Sequence, residues 1–481
     1  MTSPSPSPWQ RPLAHLKTLW RTRRLPDAES ISPALRKELS DWRLWWARAM
    51  VVLMAVLAGW TIVGFTWLTE QALALFFAGR ARVWWAPLLW TPACAAAIVW
   101  CTRRWAPGAA GSGIPQVMAA LDASMPPAEV RRFASLRLSL AKIVLTAWGL
   151  LAGLSLGREG PSVQIAAGLM LQARALMPRR SAINAHSLLV AGGAAGIAAA
   201  FNTPLAGVMF AIEELARAPE QRSSGLIIAA IVLAGVVAVS AHGNSTYFGV
   251  IHAPALDLSL LLPGLAVTLA AGLAGGLFAR LLLASLGGGG VDVMSRLRAK
   301  HPVRFAAVCG LLVAVIGTVT GGAAFGSGYA PTQALVEGGG QLSPLYGLLK
   351  FIATWLTTWS GVPAGVFAPS LAIGAAIGHD IAAVLHHPHT PALIALGMVG
   401  FLAAVTQAPL TSFIIVMEMV DGHAMVLSLM ACALVATVLS RLISPPLYPG
   451  LAKMQLAALA RFARADADSA APAITARTSA S

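Results

Sequence analysis

Gly157-Arg158-Glu159-Gly160-Pro161 puts a charged pair where an apolar run breaks and a helix is due to begin. Ile143 to Leu156 upstream carries no charge, and Ser162 to Met170 downstream reads as helix, with Pro161 suited to the first turn because its missing N–H costs nothing there. Such a helix start offers free backbone N–H groups, a positive dipole end and one tethered carboxylate, Glu159, inside a hydrophobic setting. That combination suits an anion. The plain alternative for this stretch taken alone is a surface loop whose Arg158 and Glu159 are solvated.

Working outward, the 481 residues are 57% hydrophobic and only 11% charged, with mean hydropathy +0.72, which excludes a soluble globular class and fits a polytopic membrane protein. Forty-five glycines and 30 prolines are many for plain spanning helices and predict tilted and broken ones. The net charge of +15 sits mostly in flanks and loops that would face cytoplasm and anionic lipid, so it does not point to nucleic acid. Cys94, Cys101, Cys309 and Cys432 lie singly in apolar stretches and predict no disulfide framework or metal site.

Residues 1–48 are basic and lack a cleavable leader pattern, which predicts a cytoplasmic N-terminal segment, with a short surface helix from Ser32 to Leu39. Apolar stretches at Ala49–Leu68 and Trp84–Cys101 are each suited to cross a bilayer, which needs roughly 20 residues. Pro107 to Pro115 is too rich in Gly and Pro for helix interior and too apolar for an exposed loop. Backbone of that kind survives at membrane depth only where it lines a cavity or is buried in protein, and Ser112 there can offer a hydroxyl. Lys142 is a lone base that either pairs with an acid or snorkels outward. His386, His387 and His389 have no acidic partner nearby and read as a solvated loop.

Internal repetition decides the organisation. Gly111-Ser112-Gly113 recurs 215 residues on as Gly326-Ser327-Gly328. The 157–161 stretch is answered 208 residues on by Gly365-Val366-Phe367-Ala368-Pro369, and Asn202 to Glu213 is answered 205 residues on by Gln407 to Glu418. The domains expected are a first membrane repeat at 49–245, a second at 246–454, and a disordered cytoplasmic tail at 455–481. Transporters built this way hold substrate near the midplane where broken helix ends meet. The offsets leave open whether the halves run parallel or inverted.

Gly111 to Pro115, Gly157 to Pro161, Gly365 to Pro369 and Tyr448 in Pro446-Leu447-Tyr448 together resemble the CLC family of chloride channels and proton-coupled chloride transporters. The resemblance spans some 340 residues. It implies an all-α polytopic membrane protein with a CLC-type inverted-repeat bundle of tilted and broken helices, a homodimer in the bacterial inner membrane with both termini cytoplasmic, and H+/Cl− antiport rather than enzymatic chemistry. It further implies chloride as a bound substrate and no cofactor. Ser112 and Tyr448 would donate hydroxyls to a central anion, backbone at Val366 and Phe367 would join them, and backbone at Arg158, Glu159 and Gly160 would form an outer site. Glu159 would be the gating and proton glutamate and Glu214 an internal proton relay. Neutral donors suit chloride, since a full cation would hold it too tightly for turnover.

Within the resemblance, Gln116 stands where relatives often carry an acid, which would alter electrostatics beside the site. Serine rather than proline at 112 favours chloride over nitrate, and Tyr448 with Pro161 argues against the fluoride-exporting branch. The absence of cystathionine-β-synthase-type domains looks prokaryotic. Without the resemblance, Glu213 and Glu214 read as a solvated helix end paired with Arg217, and Glu418 reads as structural. A voltage- or pH-gated passive chloride channel is the alternative function. An intramembrane serine hydrolase built on Ser112 fails because no histidine motif supplies an activating base.

Overall fold

The computed structural model describes residues 42–178, 181, 183–216, 224–243, 246–251, 258–287, 293–339 and 342–461. Within these the chain is helical, with no named strand. Helix α1 runs from Trp42 to Arg82 and α2 from Pro87 to Trp105. At 1.5 Å per residue α1 is about 60 Å long, twice the hydrocarbon core, so it must tilt to cross. The apolar patterns placed spans at Ala49–Leu68 and Trp84–Cys101; α1 overruns the first at both ends, while α2 starts inside the second and runs past its end. Polar residues such as Glu70 and Arg103 continue a helix whose backbone bonds are satisfied within it.

Short α3 (Ile114–Ala120) precedes α4 (Leu136–Leu151), α5 (Glu159–Leu176), α6 (Ala185–Phe201), α7 (Pro204–Phe210, continued as a π-helical turn through Ala211–Ala216) and α8 (Ser224–His242). The second half comprises α9 (Leu261–Leu286), α10 (Val293–Lys300), α11 (Pro302–Val319), α12 (Tyr329–Val336), α13 (Tyr346–Ser360), α14 (Phe367–Leu385), α15 (Thr390–Thr406), α16 (Pro409–Met419) and α17 (Val426–Ile443). A closing helix, α18, spans 447–461. Among the described residues six helical segments are long and apolar enough to cross a membrane, and the chain is a transmembrane protein.

The stops are chemical. α6 and α15 both end on a residue in the left-handed region, Asn202 and Gln407, each at φ 58°. In each case a proline follows two residues later, so the residue between is steered out of helical geometry and a new helix opens on the proline. Glycines then let the broken helices pack backbone to backbone. A Cβ on Gly196 of α6 would lie 2.5 Å from the Ser162 carbonyl of α5, and one on Gly374 of α14 would lie 2.3 Å from the Gly397 carbonyl of α15.

Two contacts show how the halves are related. Gly157 and Gly365, which occupy equivalent repeat positions, exchange both backbone hydrogen bonds (2.8 and 3.1 Å) as an antiparallel bridge. The Glu213 carboxylate accepts from the Leu410 and Thr411 amides (3.1 and 2.6 Å), while Glu418 accepts from Leu205 and Ala206 (3.2 and 2.7 Å). A contact in which i meets j′ and j meets i′ requires a two-fold relation, so a pseudo-two-fold axis relates the two repeats.

Several expectations change. Glu213, read as solvated and paired with Arg217, is a cross-repeat helix cap; Arg217 itself lies outside the described residues. Arg296, Arg298 and Lys300 stand on α10. Between the repeats, the Phe248 and Ile251 amides donate to the Met419 and Val420 carbonyls (3.0 and 2.9 Å). The 455–481 tail begins as helix, since α18 continues to 461. The surface helix at Ser32–Leu39 lies outside the described residues.

Candidate functional site

The Gly157–Gly365 bridge brings the N-termini of α5 and α14 face to face. Glu159, in the first turn of α5, is fully buried, and its Oε2 accepts from the Ala368 amide of α14 at 3.4 Å. Its Oε1 is buried without a hydrogen-bond partner. The carboxylate curls over Gly157, where a Cβ would stand 2.3 Å from Oε2. The opposing helix thus offers one of its free N–H groups to the tethered acid. The Val366 and Phe367 positions named from sequence are the N-cap and first residue of that helix. Ala368 escaped the sequence reading, although it stands in the same Gly365–Pro369 motif.

Ser112 abuts this junction: a Cβ on Gly160 would fall 2.3 Å from its Oγ. The loop that carries it is tied at several points. Lys142 Nζ, fully buried, donates to the Ala109 and Gly111 carbonyls (2.8 and 2.6 Å), and the Ala364 amide also donates to Gly111 (3.2 Å). Lys142 therefore neither pairs with an acid nor snorkels. The loop carbonyls replace part of the ammonium's lost hydration. Gln116, expected to alter electrostatics beside the site, is buried and closes the same loop. Its Oε1 accepts from the Gly113 amide at 2.8 Å and its amide nitrogen donates to the Ala110 carbonyl. Gly111 and Gly113 sit at φ 75° and 112°, values side chains avoid, so glycine is required there.

The second half repeats the device. Lys350 Nζ, also buried, donates to the Ala324 and Gly326 carbonyls (3.0 and 2.7 Å). Lys350 lies 208 residues after Lys142, the same offset as the two glycine-rich helix starts, and that spacing was the signal by which sequence could have found it.

Tyr448, near the start of α18, is fully buried with its ring stacked on Phe367 (centroids 5.7 Å apart, 12° between planes). Its hydroxyl has Glu214, Ser112 and Glu159 as electrostatic neighbours. Neither the Tyr448 nor the Ser112 hydroxyl has a hydrogen-bond partner within bonding geometry. Four residues named from sequence, Ser112, Glu159, Phe367 and Tyr448, thus converge.

The Arg158 side chain turns away from them. Its guanidinium pairs with Glu70 of α1 (2.8 Å), donates to the Tyr247 hydroxyl (3.3 Å) and lies 5.9 Å from that ring's centroid. Only its backbone adjoins the helix start, and Glu70 and Tyr247 carried no local sequence signal. Glu214 lies in the π-helical turn after α7, a geometry that recurs at functional sites. It is buried and lines two cavities, of about 280 and 860 Å³. Asp122 lines the smaller one. Hydrogen bonds from the Ser124 hydroxyl and amide hold its carboxyl below the usual range, so it is a fixed negative charge there.

Fold and site together define an inverted-repeat polytopic membrane protein whose broken helices converge on buried, underbonded polar groups. Residues 94–441 match the family described as voltage gated chloride channel, and the chain belongs to this CLC family. It is similar to the H(+)/Cl(-) exchange transporter ClcA of Cronobacter sakazakii, 32% identical over 446 residues covering 86% of this chain and 91% of that protein. It is also similar to the ClcA of Citrobacter koseri, 33% identical over 373 residues covering 74% and 76%. Among solved structures, a slow cyanobacterial Cl−/H+ antiporter superposes with TM-score 0.75 at 24% identity, covering 85% of this chain and 98% of that one. A CLC-type fluoride/proton antiporter superposes at 0.69 with 23% identity, covering 86% and 99%. Both structures share this fold.

Proposed function

We propose that this protein exchanges chloride for protons across the bacterial inner membrane as a homodimer with cytoplasmic termini, with no cofactor and no catalysis of covalent chemistry. Its membrane repeats are taken as 49–245 and 246–454. The observation that carries this reading is the Glu159 carboxylate on the Ala368 amide, beside two buried hydroxyls without partners. A dehydrated anion at this junction would accept from the Ser112 and Tyr448 hydroxyls and from the amides of Val366 and Phe367. An outer anion would use the amides of Arg158, Glu159 and Gly160. These donors compensate dehydration without a full positive charge.

Glu159 then gates by substitution. Ionised, it competes with the anion for the same N–H groups; protonated, it loses that attraction and releases them. Anion entry and proton uptake become one event. Glu214 hands protons between the aqueous cavities it lines and the region of Tyr448. Support for exchange rather than passive conduction comes from this second carboxylate and from relatives named as exchangers. Glu159→Gln, reconstituted in liposomes, is expected to abolish proton transport while chloride flux persists. Retained proton pumping would defeat the gate assignment.

A further inference from the structure

A third cavity, of about 590 Å³, lies between the loop leading to Ser112, the turn before α4, and α18. Arg131 and Arg137 line it together with Trp105, Pro107, Gln116 and Leu459. Neighbouring Arg132 is engaged by Glu129 at 2.5 Å. The Arg137 guanidinium donates to the Trp105 carbonyl at 3.4 Å, which pins one wall. Arg132 lines it too, and among the described residues no acidic one does, so Glu129 offsets its charge only at Arg132.

Arg137, which lines the cavity, stands on α4 beside an exposed apolar stripe. Leu136, Leu140 and Val144 recur one turn apart on α4 and are 54%, 63% and 53% exposed, and Trp105 is 56% exposed. An apolar stripe beneath an aromatic and two arginines is how a helix end meets the headgroup region of a bilayer. The basic α10 stands on the same side, since Arg298 feels Arg103 at the end of α2. An excess of arginine and lysine marks the cytoplasmic leaflet, and basic pockets there suit anionic headgroups.

We propose that this cavity binds the phosphodiester of an anionic phospholipid, its phosphate between Arg131 and Arg137 and its acyl chain along Leu136, Leu140 and Val144. The chemistry required is a phosphoryl anion. The commitment to lipid rests on the continuous apolar stripe, which a free phosphate would leave uncovered. The bound headgroup braces the loop at 107–110 and thereby Ser112, so the site also tunes anion transport.

The test is binding by the full-length protein in neutral detergent, read by native mass spectrometry and thermal midpoint. This readout is independent of any transport assignment. Wild type is expected to retain phosphatidylglycerol over phosphatidylcholine and to be stabilised by it. An Arg131→Gln, Arg137→Gln double variant should bind phosphatidylglycerol about thirtyfold more weakly, at roughly one headgroup interaction lost per arginine. Lysine at both positions should restore most of the affinity. Equal affinity in wild type and the glutamine variant, or no preference over phosphatidylcholine, overturns the site. Stabilisation by inorganic phosphate as strong as by phosphatidylglycerol would overturn the commitment to lipid.

Discussion

Lys350 shows how much a single buried side chain can hold. Its ammonium donates to two loop carbonyls, so Lys350→Met leaves both unpaired, each at about 1–3 kcal/mol. A marked fall in thermal midpoint is expected, matched by Lys142→Met in the other half. Stability unchanged in both would mean water replaces the ammonium. Glu214 and Tyr448 divide the work differently. Glu214→Gln should remove proton transport while chloride binding, measured by calorimetry, stays intact; unchanged proton flux would return Glu214 to an ordinary buried carboxylate. Tyr448→Ala removes one charge-assisted donor and should weaken chloride binding about tenfold or more. At this scale sequence was informative wherever chemistry was local. Ser112, Glu159, Phe367 and Tyr448 each sit in a short motif. The partners of Arg158 and Lys142 are tertiary, set by how α1 and the 109–111 loop fold back, and no spacing encodes them.

Among the elements, the reciprocal caps are the sharpest consequence of the repeat. Glu213 and Glu418 each satisfy two orphan amides at the start of the opposite half's short helix, a service usually given by a residue of the same helix. Glu213→Ala and Glu418→Ala should each destabilise by about 1–2 kcal/mol in denaturant unfolding, and by similar amounts because the geometry is mirrored. A loss from only one would mean the two caps are not equivalent in solution. The helix stops were legible, since Asn202-Thr203-Pro204 and Gln407-Ala408-Pro409 write them in pre-proline residues. The length of α1 was not, because hydropathy reports where lipid contacts a helix and α1 runs on beyond its apolar stretch to Glu70, which meets Arg158.

For the whole molecule, three offsets near 210 residues disclosed two halves but left their relative orientation open. The Gly157–Gly365 bridge and the paired caps supply the two-fold relation, and the CLC fold supplies the inversion. A Cβ on Gly365 would stand 2.7 Å from the Gly157 carbonyl, on the pseudo-two-fold itself. Gly365→Ala should therefore separate the two helix starts and depress chloride binding even in folded protein. The most direct test of coupled exchange is a proton measurement in sealed liposomes holding wild-type protein, with an imposed chloride gradient and no initial pH difference. Protons are expected to move uphill, in the direction opposite to chloride, and Glu159→Gln to abolish that movement. Chloride flux in wild type with no accompanying proton movement would contradict exchange and identify a passive channel.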